Sequence, residues 1–234
     1  MKSWVNFWNK NHSIYVNSKH KQVHSEKILN DIGCWIPSSD CAILDYGCGE
    51  ALYATGLLAK CSHLTLVDTS QNTRTQIKSR LNNSDNVKIL SPEDCASLKN
   101  DSIDLIVANS VFQYLNQDQT LFTIQLFHRV LKHDGKVIIA DIIPLNSSVL
   151  SDSFNLLKLG YRNQFFLASI FGLFKTFFSD YRILRNSLGL TNYSSDDLIY
   201  FLTQNGFKGK LEVKNFGHNK NRLCFSAKKI NKNN

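Results

Sequence analysis

The chain has 234 residues, 43% of them hydrophobic, with a formal charge of +8 and a pI near 9.2. That is enough to bury one sizeable α/β core and leaves little room for a second independent domain. No apolar run approaches the roughly 18 residues of a membrane-spanning helix and the start MKSWVNFWNKNHS has no signal pattern, so an integral membrane class is set aside; no stripe of cations interleaved with aromatics accompanies the basic excess, which disfavours a nucleic-acid partner.

Residues 1–37 read as a helical cap that places His20, His24 and Lys27 along one helical face. The His20/His24 pair has the i, i+4 spacing of H-E-x-x-H, but Lys21 replaces the glutamate and no third ligand is evident, so no metal is expected. In AILDYGCGEA, Ala42 to Leu44 form an apolar run suited to a buried parallel strand that ends at Asp45. Gly47 and Gly49 let the chain turn sharply and bring its backbone N–H groups close to a ligand, and Ala51 to Lys60 reads as a helix. Leu52 stands where the third glycine of G-x-G-x-x-G belongs, which disfavours NAD.

The next strand, His63 to Val67, ends in Asp68, at the separation from the turn where an acid accepts both hydroxyls of a ribose. VKIL, residues 87–90, precedes the acidic pair Glu93 and Asp94, which could meet an adenine amino group. A fourth strand from Ile103 ends at Asn109 and Ser110, and a fifth from Gly135 ends at Asp141 before Pro144. Residues 145–194 are helical and aromatic, and between Phe165 and Phe178 only Ser169, Gly172, Thr176 and a few others interrupt an apolar face that continues to Ser179. Core packing, a homodimer interface, the wall of an apolar pocket and a shallow membrane contact all suit such a face, and Arg162, Lys175, Arg182 and Arg185 beside it suit an anionic surface. SSDDLIYFLTQNGF follows as a helix capped by Ser194 or Ser195, then KLEVKNFG and RLCFSAKK as strands. If residues 210–216 form a parallel strand, the turn GHNKN lands on the rim shared by Gly47, Asp68, Asn109 and Asp141, and His218 becomes a site candidate.

Together these motifs resemble the class I S-adenosylmethionine-dependent methyltransferases of the type 11 kind, over roughly residues 40–142 plus the C-terminal pattern. DYGCGEA looks like the family's first motif, Asp68 matches its ribose-binding acid, ANSVFQYL (108–115) looks like the motif after the fourth strand, and FHRVLKHDGKVIIAD (127–141) resembles the helix, turn and fifth strand that follow. Ala51 stands where a third glycine is common, and Pro92 where many relatives carry an aspartate beside the adenine. The resemblance implies a Rossmann-like α/β fold: a seven-stranded, mostly parallel sheet with the last strand antiparallel, flanked by helices. It implies one domain over 1–234, divided into a cap (1–37), a donor-binding core (40–142), a helical insertion after the fifth strand (145–193) and a last helix with two strands (194–229). The implied cofactor is S-adenosylmethionine, held by Asp45, Gly47, Cys48, Gly49, Asp68, Thr69, Glu93, Asp94, Asn109 and Ser110. Tyr15, His20, Tyr114, Phe171 and Phe174 are the expected acceptor contacts.

Methyl transfer from a sulfonium is an in-line displacement, and an oxygen or nitrogen acceptor must also lose a proton. His218, His24 and Asp141 are the candidate bases. The expected acceptor is a small, partly apolar molecule, lipid-like molecules included. A nucleic-acid or protein methyltransferase and a non-catalytic donor-binding regulator are the alternatives; ANSVF lacks the asparagine-proline-proline-aromatic run of enzymes that methylate bases. Six cysteines without a C-x-x-C pair are expected to be reduced, in the cytoplasm.

Overall fold

The computed structural model describes residues 3–10, 15–81, 84–177 and 180–230; Phe178 and Ser179, at the end of the apolar face read from the sequence, lie outside them. Seven strands form one sheet in the order β3-β2-β1-β4-β5-β7-β6. They are β1 (Ala42–Tyr46), β2 (His63–Val67), β3 (Val87–Leu90), β4 (Ile103–Asn109), β5 (Leu131–Ile142), β6 (Phe207–Leu211) and β7 (Leu223–Lys229). The first five pair in parallel, and β7 runs antiparallel to both β5 and β6. β6 is therefore parallel to the first five, as the sequence anticipates.

Because strand side chains alternate, the central strands feed two cores. Leu44, Ile106, Ala108, Val137 and Ile139 face one side with α5 (Gln117–Val130) and α9 (Ser195–Gln204), whose Ile124, Phe127, Leu198 and Leu202 are fully buried. Ile43, Leu105, Val107, Ile138 and Ala140 face the other, with α2 (Ser18–Gly33), α3 (Ala54–Leu58) and α4 (Gln71–Arg80). Helix starts follow capping chemistry. Asn17 accepts from the His20 N–H (2.8 Å), Ser194 accepts from the Asp197 N–H (3.0 Å), and Asn116 and Gln119 form a capping box at α5.

Three boundaries differ from the sequence reading. The helix expected from Ala51 starts at Ala54, because Ala51 sits at φ +42°, outside helical conformation. β6 is Phe207–Leu211 rather than 210–216; after the Glu212 N–H donates to the Cys224 carbonyl the chain leaves the sheet as a polar loop. The fifth strand, read from Gly135, starts at Leu131, and the turn expected before it is a bulge inside the strand, since Ile103 pairs with Leu131 but Leu105 pairs with Lys136. Three helices, α6 (Val149–Arg162), α7 (Phe166–Phe177) and α8 (Asp180–Leu188), fill the insertion, and α1 (Trp4–Trp8) opens the cap.

Phe225, fully buried on β7 between β5 and β6, belongs to the core that locks the C-terminal strand pair onto the sheet. Phe225→Ala should lower unfolding free energy by about 3 to 5 kcal/mol in a urea titration; a loss under about 1 kcal/mol would show that this edge packs loosely.

Candidate active site

Parallel strands leave their carboxyl ends on one rim, and the chain concentrates its unusual backbone there. Gly47 has φ +76°, and a Cβ on it would overlap the Val111 side chain, so glycine is required for both conformation and space. Gly49 has φ +54° and faces open space. The turn's N–H groups, expected to reach toward a ligand, are instead used within the protein. The Val67 carbonyl accepts from Gly47 (2.7 Å) and Cys48 (3.0 Å), and Asp68 Oδ2 accepts from Gly49 (2.9 Å). The glycines thus supply a bare surface rather than donors. Arg80 Nη2 donates to the carbonyls of Glu50 (2.6 Å) and Ala51 (2.9 Å), and Arg74 Nη1 to those of Asp68 (2.7 Å) and Thr69 (2.9 Å), which fixes both loops.

Asp68 Oδ1 also accepts from the Ser70 N–H at 2.8 Å, and burial raises its carboxyl above the usual carboxylate range. Asp45 is buried beneath the turn, where desolvation pushes its carboxyl up to about 7 and the Tyr53 hydroxyl donates to it at 2.7 Å. Cys48 is buried with its thiol pushed well above its ordinary value by the same cause. Of the acidic pair, Asp94 accepts from the Ser91 N–H (3.1 Å) and Oγ (2.9 Å), whereas Glu93 is exposed.

At the ends of β4 and β5, Ser110 and Asp141 adopt φ +59° and +57°. Left-handed conformations in non-glycine residues cost of order 1 to 3 kcal/mol each and collect at functional sites. Ser110 Oγ donates to Asp141 Oδ2 at 2.6 Å, and the Asp141 N–H donates to Asn215 Oδ1 at 2.8 Å. Burial raises the Asp141 carboxyl. Arg222 Nη2 donates to Asp152 Oδ2 (2.7 Å) and its Nε lies 4.0 Å from Asp141 Oδ1, so α6 is tied to the start of β7.

Beside this network is a cavity of about 350 Å³. Asn109, Ser110 and Asp141 line its rim side; His20, His24 and Ile28 come from α2; Leu156 and Leu159 come from α6; Phe216, His218 and Asn219 come from the β6–β7 loop. The rings of His20 and His24, and of His24 and His218, lie 6.4 Å apart, and Tyr15 meets His20 at 5.4 Å and His24 at 5.5 Å. Desolvation holds His20 and His24 down to about 4 and lowers His218, so all three rings are neutral at neutral pH. The same effect pushes Tyr15 up to about 12. His218 Nε2 is buried with no partner among the described residues, and the backbone of Val23 opposes part of the desolvation that lowers the ring. Asn109 Oδ1 and Arg222 Nη1 are likewise buried without a partner among the described residues.

The structure thus gathers His20, His24, Asn109, Ser110, Asp141 and His218 around one cavity. Tyr114 instead packs in an aromatic group with Trp4 (4.9 Å) and Trp8 (5.4 Å). Phe171 and Phe174 are exposed on α7 and do not line the cavity. Sequence reading missed Arg222 and Asp152, and it reached Asn219 only as part of the turn GHNKN. One signal pointed to Asp152: it is the only carboxylate between residues 145 and 179. All six cysteines are free, and five are buried.

Residues 44–139 match the family described as a methyltransferase domain. No curated protein matches the sequence. Among solved structures, the chain is similar to a protein described as a methyltransferase, in complex with the Trm112 methyltransferase activator of Haloferax volcanii (TM-score 0.62, 11% identity, 99% of this chain and 100% of that one). It is similar to a protein described as a type 11 methyltransferase from Sulfolobus solfataricus (TM-score 0.54, 20% identity, 89% and 94%). It is also similar to magnesium protoporphyrin IX methyltransferase from Synechocystis with bound SAH (TM-score 0.57, 14% identity, 96% and 92%). Residues 44–139 thus match a methyltransferase domain, and the likeness to these solved structures lies in the fold.

Proposed function

We propose that the chain, acting as one domain over residues 1–234, methylates an oxygen or nitrogen of a small, partly apolar molecule held between α2, α6 and the β6–β7 loop. The observation that carries this reading is the cavity, which adjoins Asn109 and Ser110 on the same rim as Asp68. Its size of about 350 Å³ suits a small molecule, and Ile28, Leu156, Leu159 and Phe216 give it apolar walls.

The rim suits the cofactor. Each oxygen of Asp68 accepts one backbone N–H and retains lone-pair capacity for a ribose hydroxyl. Gly49 leaves a surface with no side chain, and Glu93, exposed while Asp94 serves Ser91, is the member of the acidic pair that faces the adenine in this reading. Cys48 and Thr69 contribute backbone, and Asn109 brings a buried oxygen that lacks a partner among the described residues. Bound S-adenosylmethionine supplies a methyl group on a sulfonium, activated toward in-line attack.

The chain's own work is positioning, desolvation and proton removal. His218 is the base: its Nε2, buried without a partner among the described residues, is the atom that accepts the acceptor's proton in this reading. His24 and His20 keep its surroundings apolar and uncharged, and Ser110 with Arg222 holds Asp141 in place. The free cysteines support a cytoplasmic location. Among the described residues no helix is long and apolar enough to cross a membrane.

Asp68→Asn should weaken S-adenosylmethionine binding tenfold to a hundredfold in calorimetry, the equivalent of about 1.5 to 3 kcal/mol for a charged hydrogen-bond acceptor. An affinity within twofold of wild type would remove the ribose assignment.

Turnover should be level near neutral pH and fall in acid as His218 takes up a proton below its ordinary value. His218→Gln should cut kcat by at least about a hundredfold and abolish the acid limb. An acid limb that survives the substitution would pass the role to Asp141.

The histidines also set a pH dependence of stability. An unfolded His24 binds its proton near 6.5, whereas the folded one resists until about 4. Their contribution is therefore complete above pH 6.5 and is lost as the pH falls toward 4. His24→Phe should flatten that slope in urea titrations run across this window; an unaltered slope would mean that His24 is solvated.

A further inference from the structure

The inner and outer sides of α6 and α7 are chemically unlike. Inward, Asp152, Leu156 and Leu159 meet the cavity network, Gly160 packs so closely on Ser169 that a Cβ would overlap its hydroxyl, and Phe165 stacks on His20 at 5.2 Å. This pair is therefore a fixed platform. Outward, residues follow one another at i, i+4 steps: Leu150, Phe154, Lys158 and Arg162 on α6, then Leu167, Phe171 and Lys175 on α7. Leu150 is 81% exposed, Leu167 80% and Phe171 70%. Each row begins with large apolar side chains and ends in cations.

We propose that this outer face of α6 and α7 seats the protein on an anionic lipid surface. Charge selects that occupant. Between residues 149 and 177 the sole carboxylate is Asp152, which is turned inward onto Arg222 at 2.7 Å, so the charged groups that remain exposed, Lys158, Arg162 and Lys175, are all basic. A two-fold contact between copies would bring this basic face against an equally basic one, whereas anionic headgroups complement it. The long lysine and arginine stems let the heads reach the phosphates while Leu150, Phe154, Leu167 and Phe171 enter the acyl boundary. No described helix is long and apolar enough to go further and cross. Because the inner side of α6 walls the cavity, a docked protein holds that cavity one helix away from the lipid surface. The inference stands on the outer face alone and does not depend on which molecule is methylated.

Co-sedimentation with vesicles of phosphatidylglycerol and phosphatidylcholine in equal parts, against vesicles of phosphatidylcholine alone, tests it. The intact protein should partition at least about tenfold more strongly onto the anionic vesicles, and less so as salt rises. Two variants, Leu150→Glu with Leu167→Glu and Lys158→Glu with Lys175→Glu, should each lower that partition at least about tenfold while S-adenosylmethionine affinity and melting temperature stay at wild-type values. Equal binding to both vesicle types, no binding, or full binding by either variant overturns the proposal. So does sedimentation velocity that shows a wild-type dimer dissociated by Leu150→Glu with Leu167→Glu, which would assign the face to a second copy.

Discussion

One carbonyl and one carboxylate at the end of β2 shape the rim on which everything else depends. The Val67 carbonyl takes the N–H groups of Gly47 and Cys48, and the next residue, Asp68, takes those of Gly49 and Ser70. The turn after β1 is thereby fastened to its neighbouring strand by two backbone bonds and one bond to the Asp68 carboxylate. Only a chain that tolerates positive φ at positions 47, 49 and 51 can follow that path, and glycine stands at two of the three. The strained Ala51 is held by Arg80 reaching its carbonyl from α4. A carboxylate fixed by two backbone donors cannot swing away, so Asp68 presents a pre-organised acceptor at no further ordering cost.

A second fastening builds the acceptor side. The Ser110–Asp141 bridge joins the ends of β4 and β5, Asn215 receives the Asp141 N–H, and Arg222 connects the same region to Asp152 on α6. Asp31 of α2 accepts from the Gly217 N–H at 2.8 Å, which attaches the cap to the loop that carries His218. Three elements distant in sequence thus converge on one cavity through polar contacts that the apolar cores do not supply. Burial around the cavity lowers all three histidines, and desolvation of the same kind would favour the proposed reaction, in which a sulfonium loses its charge.

Much of this was readable from the chain because the relevant signals are local. Apolar runs that end in Asp45, Asp68, Asn109 and Asp141 marked the strands and their rim, and the antiparallel last strand followed from the resemblance. Register and hydrogen-bond partners were not readable. Nothing in DYGCG reveals that the turn's N–H groups are spent on Val67, because that depends on how close β2 lies. Arg222 escaped notice because a polar loop residue gains meaning only from what folds against it, here Asp152 from 70 positions away. Phe171 and Phe174 illustrate the converse. Their spacing says that a face exists, and only the packing of Gly160 on Ser169 says which side of α7 is turned inward.

The account joins a donor rim to an acceptor cavity, and a crystal structure of the protein with S-adenosylhomocysteine examines that junction most directly. It predicts the ribose hydroxyls on Asp68 and the thioether sulfur facing the cavity lined by Asn109, His24 and His218. A ribose bound elsewhere, or a sulfur pointing away from those histidines, would contradict it.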